Sequence, residues 1–237
     1  MIPKIIHVSW KSKDILNDNT ELINRGLKSL VELNPDWELQ LSDNDDVERY
    51  LSKNLDVFDF ALLKPRHIVE KLDVWRLIKL YNEGGLYTDI DRFYNLPLSD
   101  ILAPGIKLVL PTCLDHDFTH DFMLSEPNNP IYATALKLNL ERRKEGHDNI
   151  YYLGAQTYMH AVTKCLVNEM INTNPGEKIM NALREVMVQS KFIVTRKEEP
   201  PIRNILFICD KTPLEEHERM KREFYLKYKM NHWSGQW

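Results

Sequence analysis

Gly84-Gly85-Leu86-Tyr87-Thr88-Asp89-Ile90-Asp91 is the stretch on which the reading of this 237-residue chain turns. Read as a strand opening after a helix-ending glycine pair, it places Leu86, Thr88 and Ile90 on one face and Tyr87, Asp89 and Asp91 on the other, because strand side chains alternate. Two carboxylates then face the same way, one strand repeat apart. Like charges held that close resist ionising together, so the pair makes sense if a cation or the hydroxyls of a sugar occupy the space between them. An Asp-x-Asp triplet alone is a weak signal, since two solvated carboxylates at a strand end look the same.

The segment just before it sharpens the signal. His67 to Asn82 reads as a helix: Ile68, Leu72, Trp75 and Lys79 recur at helical spacing, Val69, Ile78 and Leu80 widen the apolar sector, and Gly84-Gly85 is a stop signal. Asp73 and Arg76 are three apart on that helix and share a face. An exposed pair of this kind contributes at most ~1 kcal/mol. Its position beside Trp75 and the apolar sector predicts instead a partly buried pair held in place for a purpose.

Working outward, composition sets limits. The formal net charge of -4 argues against a broad nucleic-acid footprint. Cys113, Cys165 and Cys209 lie far apart and mostly within apolar runs, which predicts buried free thiols rather than a disulfide framework or a zinc site, and a reducing compartment. Met1-Ile2-Pro3-Lys4 leads straight into a strand-like run, and no stretch of ~18 apolar residues follows. The expectation is a soluble, cytoplasmic protein without an integral membrane segment.

Towards the N-terminus, Ile5-Ile6-His7-Val8 reads as a buried first strand from Pro3 to Trp10, with His7 structural within it. Trp10 falls at the carboxyl edge where ligands bind in α/β sheets. Its ring suits either stacking on a nucleotide base or a core anchor. Ile15 to Leu33 reads as a helix, Asn34-Pro35-Asp36 as a break and Trp37 to Leu41 as a strand. Ser42 to Asp46 reads as a polar turn capping a helix through Tyr50, since it lacks the glycine and closing glutamate of a calcium loop.

Beyond the Asp-x-Asp stretch, Ile106 to Leu110 reads as a strand and Asp117 to Leu124 as another. His116, Asp117, His120 and Asp121 crowd together but match no familiar ligand spacing. Helices are expected over Ile131–Arg143, Gly154–Leu166 and Glu177–Gln189, with Gly154 placed to let backbone approach a ligand. Strands are expected at Lys191–Val194 and Ile205–Ile208, and Lys211 to Lys221 reads as a solvated, charged element. Alternating strands and helices indicate an α/β fold with a mostly parallel central sheet flanked by helices. Asn231-His232-Trp233-Ser234-Gly235-Gln236-Trp237 is an unusual tail that makes sense if it folds back. A neutral His232 imidazole would suit as a third ligand for a cation on Asp91; alternatively Trp233 and Trp237 merely pin the tail.

Several stretches together resemble one family. Ile2-Pro3-Lys4-Ile5-Ile6-His7-Val8-Ser9-Trp10, Asn34-Pro35-Asp36-Trp37, Lys71-Leu72-Asp73-Val74-Trp75-Arg76, Leu80 to Asp91 and the closing His-Trp-x-x-x-Trp are similar to the Asp-x-Asp sugar-binding glycosyltransferases of family 32 and their kin. That group includes the fungal initiating α-1,6-mannosyltransferases and the glucosylating domains of large clostridial toxins. The likeness covers about the first hundred residues and returns at the C-terminus. It implies one GT-A domain over 1–237, with a nucleotide-sugar half at 1–100 and an acceptor half at 101–237. It also implies a nucleotide-sugar donor, Mn2+ or Mg2+, and retention of anomeric configuration. Position by position, Trp10 would stack on the base, Asp73 and Arg76 would hold the sugar hydroxyls, and Tyr87 would line the nucleotide pocket. Asp89 would meet the ribose and sugar side or the metal through water. Asp91 would bind the metal, with His232 standing where toxin-like members have a glutamate. Ser234 and Trp237 would lie over the diphosphate. Two departures, Gly154-Ala155 for a Gly-Pro pair and His120 for an Asn, fall on the sugar and acceptor side.

The resulting expectation is a retaining hexosyltransferase using a UDP-sugar, with a GDP-sugar as the alternative, and a glycan or other hydroxyl acceptor. Two other readings compete: a nucleotide-sugar hydrolase with water as acceptor, and a carbohydrate-binding module without turnover. A haloacid-dehalogenase-like phosphatase would carry its acidic pair after a first strand near the N-terminus, not at residue 89.

Overall fold

A computed structural model describes residues 1–94, 96–102, 105–112, 118–173, 205–209 and 214–230, with side chains at 111–112, 166–173, 205–209 and 214 left aside. The expected elements at 177–189 and 191–194, and Cys113, His116, Asp117, His232, Trp233, Ser234 and Trp237, lie outside the described residues.

Six strands form one sheet: β1 (Ile5–Ser9), β2 (Glu38–Ser42), β3 (Gly85–Thr88), β4 (Leu108–Thr112), β5 (Phe122–Ser125) and β6 (Ile205–Cys209), in the order β2-β1-β3-β5-β4-β6. Pairings β1/β2, β1/β3 and β4/β6 are parallel, and β5 runs antiparallel to both neighbours. The fold is therefore α/β with a mostly parallel sheet, as the alternating pattern predicts. Since β1 is flanked by β2 on one side and β3 on the other, the winding reverses there, and the carboxyl ends of β1 and β3 border the crevice that this reversal opens.

Helices cover both faces. We label residues 21–33 α1, then α2 (Asn44–Asn54), α3 (Val57–Leu63), α4 (Ile68–Glu83), α5 (Leu98–Ile101), α6 (Pro130–Lys144), α7 (Ile150–Leu153), α8 (Ala155–Thr173) and α9 (Leu214–Lys227). Tyr87, Leu108, Leu110 and Met123 enter a core with α2, α3, α4, α6 and α8. Ile6, Val8, Leu86, Val109 and Leu124 enter a second core with α1, α5 and α9. Leu86 and Tyr87 thus point to opposite faces, as strand alternation requires. Among the described residues, no helix is long and apolar enough to cross a membrane.

The helix carrying Asp73 and Arg76 matches its expected span closely. His67 caps α4 by accepting the Val69 N–H at 3.3 Å, and Gly84 ends it at φ +65. Gly85 follows at φ +89, and a Cβ there would lie 2.6 Å from the Ile5 carbonyl oxygen. Glycine is required at both positions, for the left-handed backbone and for the close approach of β3 to β1. Asp43 and Asp46 form a capping box on α2, so the acidic turn is a cap, as expected.

Three segments differ from expectation. The single helix expected over 15–33 is a 3-10 turn (Lys13–Asn17) followed by α1, in which a π segment (Asn24–Lys28) joins Glu21–Ile23 to Ser29–Leu33. The break falls where Asp18 takes the Thr20 N–H at 2.7 Å and hydroxyl at 2.6 Å, a local bond that competes with continuous helix. Strand β3 ends at Thr88 rather than running to Asp91: the Asp89 N–H still bonds the Asp121 carbonyl at 2.8 Å in step with the β3/β5 register, and the chain then turns, the Arg92 N–H reaching back to the Asp89 carbonyl at 3.4 Å. Finally, α9 is not a solvated element: Met220 and Phe224 on its inner face are 1 % exposed.

Candidate active site

Trp10 follows β1 and Asp89 follows β3. The parallel register, Ile6 opposite Leu86 and His7 opposite Tyr87, sets these two strand ends side by side. A cleft of about 550 Å3 opens there. Tyr87, Asp89, Ile90 and Asp91 line it from the β3 side, Ile68, Leu72 and Arg76 from α4, Trp10 and Lys11 from β1, and Lys221, Phe224 and Tyr225 from α9.

Arg76 is the best-held charge in the cleft. It is 4 % exposed, donates to the His120 carbonyl at 2.8 Å, pairs with Asp73 at 3.0 Å and stands 3.6 Å from Asp89, with its guanidinium carbon 4.5 Å from the Tyr87 ring centroid. Burial opposes its charge, but the ring and carboxylates around it raise its pKa above the usual arginine value. The buried Asp73 does not line the cleft. Although burial pushes its carboxyl up, Arg76 and then His120, at 3.1 Å, hold it below the usual range. Gly154 lies directly against it: a Cβ at 154 would come within 2.3 Å of Asp73 Oδ2. Gly154, expected to let backbone approach a ligand, instead lies close to the Asp73 side chain, and His120 leans on the same carboxylate.

The Asp-x-Asp carboxylates sit apart in character. Asp89 accepts the Tyr87 hydroxyl, and its side chain is 35 % exposed. Burial raises its pKa, Arg76 opposes the rise, and Asp91 and Asp121 add to it. Asp91 forms an ion pair with Lys221 at 2.6 Å, and His217 donates through Nε2 to its backbone carbonyl at 2.9 Å. Burial works against its charge too, yet Lys221 holds the carboxyl down to about 2. The turn bearing both acids rests on α1, where a Cβ on Gly26 would meet the carbonyl oxygens of Ile90 at 2.7 Å and Arg92 at 2.8 Å.

Trp10 combines the two roles that its sequence position left open. It lines the cleft, and it packs on Phe224 (centroids 5.1 Å, 50° between planes) and edge-on to Tyr228 (5.6 Å). His7 is structural, fully buried, with Nε2 donating to the Gly84 carbonyl at 2.9 Å. Asp121 pairs with Arg92 and His120 with Asp73, so these two members of the crowded His/Asp stretch are engaged separately. Among the described residues, no group of three or more His, Cys, Asp or Glu could hold a metal.

Thus Trp10, Arg76, Tyr87, Asp89 and Asp91 converge on one cleft, with Asp73 behind Arg76. Missed by sequence reading were Lys221, Phe224 and Tyr225 on α9 and Gly26 beneath the turn. The signal for α9 is present in His217, Met220, Lys221, Phe224, Tyr225 and Tyr228, which repeat at helical spacing inside a run dominated by charge.

Comparison with known proteins points the same way. Residues 20–105 match the family described as a glycosyltransferase sugar-binding region containing a DXD motif, a span that includes Asp73, Arg76, Asp89 and Asp91. Inositol phosphoceramide mannosyltransferase 1 of Schizosaccharomyces pombe is 24 % identical over 135 residues, 57 % of this chain and 42 % of the relative. Inositol phosphoceramide mannosyltransferase 3 of the same yeast is 32 % identical over 101 residues, 43 % of this chain and 27 % of the relative. The matches therefore span less than half the length of these curated relatives. The solved PaToxG glycosyltransferase shares the fold, with a TM-score of 0.53 at 18 % identity, covering 78 % of this chain and 75 % of that one.

Proposed function

We propose that the chain, whose residues 20–105 carry a DXD glycosyltransferase sugar-binding region, is a metal-dependent retaining glycosyltransferase. In this reading it moves a hexose from a nucleotide-sugar, a UDP-sugar first and a GDP-sugar second, to a hydroxyl of a glycan or other acceptor. The observation that carries the proposal is the convergence of Trp10, Arg76, Asp89 and Asp91 on the cleft beside the β1 and β3 ends. An aromatic ring, a guanidinium and two carboxylates there match a base, a charged sugar diphosphate and a hard cation, respectively.

The donor set fits a divalent cation. Asp89 and Asp91 offer oxygen ligands, which suit Mg2+ or Mn2+. Burial first, and the nearby Asp91 and Asp121 after it, raise the Asp89 carboxyl, and Asp91 already attracts an ammonium group. Asp91 would hold the ion, Asp89 would contact it directly or through water, and His232 is the proposed third ligand. Bound there, the cation supplies charge stabilisation for the departing diphosphate.

The chain's own residues do the rest in this mechanism. Trp10 lines the nucleoside subsite, with Tyr87 beside it. Arg76 binds the sugar-phosphate side, fixed in direction by Asp73 and by the His120 carbonyl, so its charge is in place before substrate arrives. The role proposed for Asp73 is thereby positioning through Arg76. In the transfer, the bond between the anomeric carbon and the diphosphate oxygen breaks and its electron pair stays on the diphosphate. The acceptor oxygen bonds to the anomeric carbon on the same face, and its proton passes to the departing phosphate. No side-chain base is needed, while Arg76 and Asp89 face the charge that develops. Ser234 and Trp237 are assigned to the diphosphate side. The single-domain division at residue 100 and a cytoplasmic setting, which suits the free thiol of Cys165, belong to the same proposal.

Thermal-shift measurements with Mn2+ against UDP-, GDP- and dTDP-sugars of glucose and mannose test it. A ligand that binds only the folded state raises the melting temperature. Stabilisation by one nucleotide class, abolished in Asp91→Asn, is expected. No stabilisation by any of them overturns the proposal, and nucleotide release that never depends on an added acceptor assigns hydrolysis instead.

A further inference from the structure

Resting on the donor-site reading above, we infer that Lys221 belongs to the donor site. In this assignment its ammonium neutralises Asp91 in the empty cleft, competes there with the divalent cation, and turns to the diphosphate of a bound nucleotide.

Four observations carry it. Lys221 Nζ lies 2.6 Å from Asp91 Oδ2, its side chain is 22 % exposed, and it lines the same cleft as Arg76 and Asp89. The helix that presents it is fixed independently: Arg25 pairs with Glu216, Arg219 with Glu21 at 2.9 Å, Lys227 with Asp18 at 2.6 Å, and His217 bonds to the Asp91 carbonyl at 2.9 Å. The backbone of α9 therefore does not rely on Lys221 for its place. Two other bases on α9 have partners outside the cleft lining: Arg219 serves Glu21 and Glu223, and Lys227 serves Asp18. Finally, the residue is a lysine, a compact charge on a flexible four-carbon stem that can swing several ångströms without moving its helix.

The physical consequence is an exchange of partners. A carboxylate already paired with an ammonium binds a metal less readily, since the two cations compete for the same oxygens. A nucleoside diphosphate brings more negative charge than one carboxylate, and close to it Lys221 gains a stronger partner and leaves Asp91 to the cation. Nucleotide and metal then assist each other's binding.

The test uses the full chain with Lys221→Met, which keeps the apolar stem, and Lys221→Arg, which keeps the charge. Calorimetry compares uridine with UDP and guanosine with GDP, at saturating Mn2+, and Mn2+ alone. Lys221→Met is expected to bind the nucleoside as wild type does, to bind the diphosphate at least tenfold more weakly, and to take up Mn2+ alone several-fold more tightly. Lys221→Arg is expected to regain most of the diphosphate affinity. Diphosphate affinity within twofold of wild type, equal losses for nucleoside and diphosphate, or unchanged Mn2+ uptake overturns the inference. A wild type that binds neither UDP nor GDP counts against the donor-site reading instead. If Lys221→Met does not fold, acetylation of Lys221 in the wild type, read by mass spectrometry, decides: UDP or GDP, but not the nucleoside, should slow it, and equal rates overturn the assignment.

Discussion

Gly154 shows how much of this site depends on an absent side chain. Its Cα rests against a carboxylate that is buried, paired with Arg76 and touched by His120. Gly154→Ala would press a methyl to within 2.3 Å of Asp73 Oδ2, so either the carboxylate or the start of α8 must move. Overpacking of this kind costs about 1–3 kcal/mol. Urea unfolding should show that loss, and adding Asp73→Ala to Gly154→Ala should cost less than Asp73→Ala costs in the wild type, because in that background it also relieves the clash. Strict additivity would show that the two residues do not meet. The Asp73–Arg76 pair was legible in the sequence, because three-residue spacing on a helix is a local fact. That Gly154 serves this pair was not, because the contact spans eighty residues and nothing near 154 announces it.

At the scale of elements, α9 is the wall that sequence reading turned the wrong way. Its charges are satisfied by distant partners, Glu21 and Arg25 on α1 and Asp18 before it, so the local pattern looks like a solvated helix. Its apolar residues, Met220 and Phe224, nonetheless recur at the helical interval and are buried. Asp18 is the pivot of the docking: 1 % of its side chain is exposed, and it accepts from Lys227 at 2.6 Å, from Thr20 and from the Tyr228 hydroxyl. Burial opposes its charge, but these donors hold its pKa well below the usual carboxylate value. A depressed folded-state pKa contributes stability above the unfolded value, near 4, and that contribution fades as pH falls towards the folded one. Asp18→Asn should therefore cost about 1–2 kcal/mol at pH 7, a figure discounted because Lys227 is half exposed. The gap to wild type should narrow steadily below about pH 4. Denaturant midpoints measured from pH 7 to pH 3 check this, and a constant gap would show that the Asp18 charge does not dock α9.

For the molecule as a whole, the alternation of apolar strands with helices made the α/β class and the parallel start of the sheet readable, since β1, α4 and β3 each carry their own local signature. The strand order was not readable. Placing β5 antiparallel between β3 and β4 depends on pairings such as Leu86 with Leu124, which only the folded sheet brings together. The cleft straddles two strand ends and α9, so a bound nucleotide should tie these parts together while leaving the far side of the sheet alone. Hydrogen exchange should slow with UDP or GDP and Mn2+ at residues 85–91 and 214–230, and stay unchanged over 130–144. Uniform slowing across the chain would point to a general gain in stability without a ligand at this cleft. The contact between Gly85 and the Ile5 carbonyl has one more consequence. Any residue larger than glycine would wedge apart the two ribbons whose ends carry Trp10 and the acidic turn, so mutational drift has no room there. If the proposed transfer holds, novelty in what such a scaffold modifies has to arise elsewhere, in the faces turned towards the acceptor.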